Sequence, residues 1–184
     1  MKQLSEKLYF EENKEFAVFK ILAKIPRWQE TMLLVWVVGW TLCGLVVLYE
    51  SFGVYTKDEK LIMMVYLVFW VYFEFKIIKS FLWKKWGNEL IKIDDEGIKY
   101  KRDYNGYGSA KIYFKENISK IAPIDLKDKS LAKTYFDTFW TIGHETLEFT
   151  YLSKSILIGM GIQDESRDML LKHLKHQIKK RWEF

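Results

Sequence analysis

Nineteen consecutive residues, Thr31–Tyr49, carry no charge. A helix of that length rises about 28 Å, close to the roughly 30 Å hydrocarbon core of a bilayer. The whole chain has 184 residues, too few to bury such a helix on every face inside a soluble core. A second segment, Leu61–Leu82, is uncharged as far as Phe73 and then admits Glu74, Lys76 and Lys79 among Phe75, Ile77, Ile78 and Phe81. Lysines near a helix end snorkel to the headgroups, and Trp83 and Trp86 fall where interfacial aromatics are enriched. Glu50–Lys60 closes the pair into a hairpin. The reading is an α+β membrane protein in three parts: a cytoplasmic N-terminal segment (1–30), a transmembrane helical hairpin (31–82, spans 31–49 and 61–82) and a cytoplasmic domain (83–184).

Basic residues set the orientation. Lys14, Lys20, Lys24 and Arg27 precede the first span, and Lys79, Lys84 and Lys85 follow the second. The loop holds only Lys57 and Lys60, beside Asp58 and Glu59. The positive-inside rule then places both termini in the cytoplasm of a multi-pass inner-membrane protein. No cleavable signal is visible ahead of the first span, so it is expected to stay as an anchor. Before that span, Val18, Ile21, Leu22 and Ile25 share a face at helical spacing, with Lys20, Lys24 and Arg27 on another. This predicts a juxtamembrane amphipathic helix over Glu15–Ile25, its cations on anionic lipid and Pro26 ending it. Phe16–Leu22 also tolerates a strand.

Beyond Gly87 the texture becomes β. Glu89–Asp94 and Ile98–Arg102 alternate about an Asp95-Glu96-Gly97 turn, and Asn105–Gly108 turns into Ala110–Phe114. Further strands are expected at Ser119–Lys127, where Pro123 favours an edge or bulge, at Tyr135–Ile142, at Thr146–Tyr151 and at Ser155–Gly161. Asp164 caps a helix to about Trp182, with Met169, Leu170, Leu174 and Ile178 on its apolar face. About seven antiparallel strands closed by one helix form a sandwich or barrel. Leu90, Ile98, Tyr113, Leu147, Phe149, Ile156, Leu170 and Leu174 supply a core sufficient for 83–184 to fold alone.

This order of elements resembles the pleckstrin-homology superfold (PH-like), which in bacteria often follows paired transmembrane helices. The likeness covers about Gly87–Trp182. It is carried best by Gly143-His144-Glu145 leading into a strand, a second strand ending at Gly161, and Asp164-Glu165 opening the helix. A weaker likeness is to small two-span proteins of the YcxB-like type. The resemblance implies binding rather than catalysis.

The composition excludes several other functions. The chain is 49% apolar and 17% aromatic, unlike disordered chains, and Cys43 is its one cysteine, so it has neither an internal disulfide nor a Cys-rich zinc site. Cys43 lies mid-membrane, where a thiol is inert. His173 and His176 sit three apart but lack a third ligand and are ringed by lysines. His144, Glu145 and Asp137 lack a nucleophile, and Gly106-Tyr107-Gly108 lacks the helix and lysine of a phosphate cradle. Glu74 is the intramembrane polar residue, either wet at the headgroups or paired with Lys24 or Arg27.

The remaining signal is basic charge. Lys172, Lys175, Lys179, Lys180 and Arg181 concentrate on the last helix, and Lys99, Lys101, Arg102 and Lys111 on early strands. With Lys20, Lys24 and Arg27 the helix cations form the candidate surface for anionic lipid or a partner; nucleic acid is not expected. The function read from this sequence is a non-enzymatic, cofactor-free scaffold or binding module on the membrane. Its partner is a protein, a second copy in a homo-oligomer, or the bilayer itself. The alternatives are a small membrane enzyme or a subunit of an oligomeric transport complex, and against the latter the first span carries few polar side chains.

Overall fold

A computed structural model describes residues 1–124 and 143–182. The chain is α+β, with two long apolar helices and two antiparallel sheets. Helix α1 (Arg27–Glu50) and helix α2 (Lys57–Trp86) are each long and apolar enough to cross a membrane, and their side chains are mostly exposed. Both extend beyond the segments expected from charge alone. Thr56 starts α2 with a capping box: its hydroxyl accepts from Glu59 N–H while the Glu59 carboxylate accepts from Thr56 N–H at 2.8 Å. The two helices meet closely at Gly44, where a Cβ would fall within 1.8 Å of the Trp70 indole. Only glycine lets that ring in, and Trp70 Nε1 donates to the Trp40 carbonyl at 3.0 Å.

The N-terminal segment departs from expectation. It forms strands β1 (Lys2–Gln3), β2 (Leu8–Glu12) and β3 (Ala17–Leu22) in place of the amphipathic helix over Glu15–Ile25. Ala17, Phe19 and Ile21 are buried and the residues between them are not, a period of two. What decides between the two patterns is a partner strand on the far side of both helices. β3 pairs in antiparallel register with β4 (Gly87–Ile93), from Ala17 opposite Ile93 to Leu22 opposite Asn88. Strands β5 (Gly97–Tyr104) and β6 (Ala110–Phe114) complete a six-stranded sheet in the order β1 to β6. The β5–β6 turn uses Asn105 and Gly106 at φ of 52° and 97°, the left-handed pair that a tight hairpin requires.

A second sheet holds β7 (Ile118–Pro123), β8 (Glu145–Tyr151) and β9 (Lys154–Met160). Its register shifts between Ile118 and Ile121. The strand expected at Tyr135–Ile142, the end of the one expected at Ser119–Lys127, and Asp137 lie outside the described residues. Helix α3 (Asp164–Trp182) packs on β7 and β8.

One core joins all these parts. Leu8, Phe19 and Ile21 lie in the same cluster as Ile91, Ile93, Ile98, Leu147, Phe149, Leu170 and Leu174. The expectation that 83–184 carries a complete core is therefore corrected, because a fragment starting there lacks the strand beside β4. Leu90 is also corrected. It faces outward, and Glu89, Ile91 and Ile93 take the inner positions of β4.

Candidate functional site

The strands define two ends of the domain. At the hairpin end, Ala23 N–H donates to the Gly87 carbonyl, Asn105 N–H donates to the Trp86 carbonyl, and Trp83 is buried with its ring 5.0 Å from Tyr104. At the far end lie the β2–β3 turn (Asn13, Lys14) and the β4–β5 turn (Asp94). Helix α3 runs between them. Ser166 Oγ bonds Ser5 Oγ at 2.9 Å near the hairpin end, and Trp182 Nε1 donates to the Asp94 carbonyl at 2.8 Å at the far end.

This frame sorts the basic residues. Lys24 and Arg27 are exposed at the hairpin end, Arg27 as the first residue of α1. Lys20 projects from the outer face of the six-stranded sheet, level with Tyr9 and Leu90. Lys172, Lys175 and Lys179 are exposed along α3 and lead away from the hairpin. Lys180 meets Glu12 at 2.7 Å, and this bond holds the Glu12 carboxyl below its usual range. Arg181 is a correction: it is 8% exposed, and its guanidinium donates to the Asn13 carbonyl at 2.8 Å and the Lys14 carbonyl at 3.2 Å. It closes the β2–β3 turn against the last helical turn and presents no charge to a partner. A helix of 19 residues spans about 28 Å, so the last-turn cations lie several Debye lengths from the hairpin end.

Glu74 pairs with neither Lys24 nor Arg27. Thr41 Oγ1 donates to Glu74 Oε1 at 2.7 Å across the two helices, and Glu74 Oε2 is buried without a hydrogen bond. A threonine one turn before Gly44 thus supplies the contact, a pairing that positive-charge counting could not find. His173 is half-buried with its ring 5.6 Å from Phe10, and His176 is exposed.

The most developed polar arrangement centres on Glu89, which charge counting does not single out, although it does count Arg102. Glu89 is 0% exposed, between the two sheets. Its Oε1 accepts from the Tyr100 hydroxyl at 2.7 Å, and its Oε2 accepts from Gly159 N–H at 2.8 Å and Met160 N–H at 3.1 Å. Tyr100 in turn accepts from Arg102 Nε at 2.8 Å, and an Arg102 terminal nitrogen donates to Glu145 Oε1 at 2.7 Å. This chain of bonds ties β4 and β5 to β8 and β9. Burial raises the Glu89 carboxyl above its ordinary value, opposed by Tyr100, the two N–H groups and Arg102. Burial and the neighbouring Glu89 carboxylate likewise raise the Tyr100 phenol.

Above this network the two sheets part. β6 is bonded only to β5 and β9 only to β8, so both are edge strands among the described residues. Between them opens a cleft of about 490 Å³ lined by Tyr100, Arg102, Lys111, Tyr113, Glu145 and Ile156, among others. Arg102 is engaged through two of its nitrogens, while Nη1 and the Lys111 ammonium make no hydrogen bond or ion pair among the described residues. Two cations against one carboxylate leave the lining at +1. The lining mixes polar and apolar side chains with a net positive charge, and the Glu89 and Glu145 carboxylates beside it are already engaged in bonds between the sheets.

Comparison with protein-family models, with curated proteins and with solved structures gives no match for this chain.

Proposed function

We propose that this protein is a non-enzymatic, membrane-anchored binding module. Helices α1 and α2 cross the inner membrane as a two-span hairpin, and a PH-like β domain stands on its cytoplasmic side to engage a protein partner. The observation that carries this reading is the pairing of β3 with β4. Strands in a ladder lie about 4.8 Å apart, so the chain that enters α1 and the chain that leaves α2 stay on one side. Two spans meet that condition, and one span does not.

Charge distribution supports the cytoplasmic side. Lys24, Arg27, Lys84 and Lys85 gather at the hairpin end, while Lys57 and Lys60 of the linker end are offset by Asp58 and Glu59. Trp28 and Trp86 are exposed at the hairpin end, at the level of the headgroups. A protein partner is favoured over lipid for the body of the domain. The cations of α3 lead away from the hairpin, two of the five are engaged internally, and of the expected surface Lys24 and Arg27, followed by Lys20, lie nearest the hairpin end. Glu89, Tyr100, Arg102 and Glu145 in and beneath the cleft make interior bonds between the sheets, which suits a rigid binding surface better than proton transfer.

Membrane fractionation with a C-terminal reporter tests the reading. The protein should resist extraction by alkaline carbonate, and a reporter active only in the cytoplasm should be active there. Release into the soluble fraction, or a silent reporter with intact protein, would refute it.

A further inference from the structure

The cleft between β6 and β9 deepens the binding-module reading, on which this inference rests. Edge strands present unpaired backbone groups, and proteins protect them by covering, shortening or charging them. Here two edges border one cleft, and among the described residues neither is paired with the other or with a further strand. β6 carries the β-prone run Ile112-Tyr113-Phe114 and exposes Ile112 and Phe114 on its outer face, while β9 exposes Leu157. Its device against random pairing is a single charge, Lys111, on the cleft side level with Tyr100. The β9 edge likewise begins with a lysine, Lys154.

We propose that this seam accepts an extended acidic peptide segment of a partner protein. The segment adds as a strand along β6 or β9 and sets a carboxylate against Lys111 and Arg102 Nη1, which carry no hydrogen bond or ion pair among the described residues. The main chain of the peptide takes up the ladder groups of the edge, and its alternate side chains fall into the cleft beside Tyr113 and Ile156. A small anion or a lipid headgroup uses the two cations and leaves the backbone edges unpaired. A second copy of this chain brings a lysine-bearing edge to a lysine-bearing edge, and like charges at close range oppose it. An acidic strand satisfies both the charge and the ladder.

The test uses the full chain in lipid nanodiscs. The probe is a fluorescent decapeptide of alternating valine and glutamate, compared with an alternating valine and lysine peptide and with a form of the acidic peptide N-methylated at alternate residues. The acidic peptide should bind saturably and slow amide exchange in β6 and β9. The lysine peptide and the N-methylated peptide should not bind. Lys111→Glu, at an exposed position that the core does not use, should weaken acidic-peptide binding by about tenfold. Equal binding of both charges, protection elsewhere on the domain, indifference to Lys111→Glu, displacement by inorganic phosphate alone, or dimerisation through the same amides would each overturn the proposal. None of these bears on membrane insertion, which fractionation measures separately.

Discussion

Replacing Phe19 by alanine separates a composite β domain from an N-terminal segment that lies on lipid. Phe19 is 0% exposed, packs with its ring tilted against Phe10 at a centroid distance of 4.8 Å, and belongs to the cluster that includes Ile91 and Ile93 from beyond the hairpin. Truncating a buried phenylalanine costs about 3–5 kcal/mol, a large share of the roughly 5–15 kcal/mol that holds a domain folded. At about 1.4 kcal/mol per decade, amide exchange of β4 should speed by roughly two to three and a half orders of magnitude, provided exchange occurs through opening of the sheet. Lys20→Ala, one residue away on the outer face, should change stability by no more than about 0.5 kcal/mol. Hydrogen exchange with mass spectrometry on the nanodisc-held chain reads both. A change below tenfold in β4 for Phe19→Ala, or equal changes for the two variants, would show that β3 is not part of the core.

Arg181→Met keeps the apolar stem but leaves the Asn13 and Lys14 carbonyls without their charged donor, and should cost about 1.5–3 kcal/mol by denaturant unfolding. Lys179→Gln beside it should be close to neutral; equal effects would place Arg181 among the solvated lysines. Glu89 gives a pH dependence. Its folded-state value is raised, so the unfolded chain loses this proton first and stability falls as pH climbs from the ordinary carboxyl range through the raised value. The difference in melting temperature between the native chain and Glu89→Gln should drift in that direction over the window. A flat difference would mean that Glu89 ionises equally in both states.

Local pattern was enough to read much of the fold. The two apolar helices, the Asp95–Gly97 turn, β6, β8, β9 and the start and end of α3 follow from hydrophobic period and turn chemistry, which act within a dozen residues. β3 did not, because Val18, Ile21, Leu22 and Ile25 fit a helix as well as Ala17, Phe19 and Ile21 fit a strand. The tie is broken by β4, which lies beyond both helices in sequence. Glu89 does not stand out in the sequence, where Leu90 reads as the inward residue. Ile91 and Ile93 outnumber it on the other face, and that count sends Glu89 inward, although its acceptors' partners on β9 are visible only in three dimensions. Arg181 was legible in principle, since it follows Leu174 by seven residues and so shares the buried stripe. The cleft was not, because it arises from two strands that fail to meet, and no local pattern encodes that.

The central claim is that α1 and α2 form a two-span hairpin with the β domain on the cytoplasmic side. Single cysteines at Val54 and Tyr107, introduced separately in a Cys43→Ala background, test it. These residues are 105% and 81% exposed, Val54 in the α1–α2 linker and Tyr107 in the β5–β6 turn at the hairpin end of the sheet. In intact cells a membrane-impermeant maleimide should label the cysteine at position 54 and spare that at 107 until the membrane is broken. Labelling of position 107 in intact cells, or equal protection of both, would contradict the account.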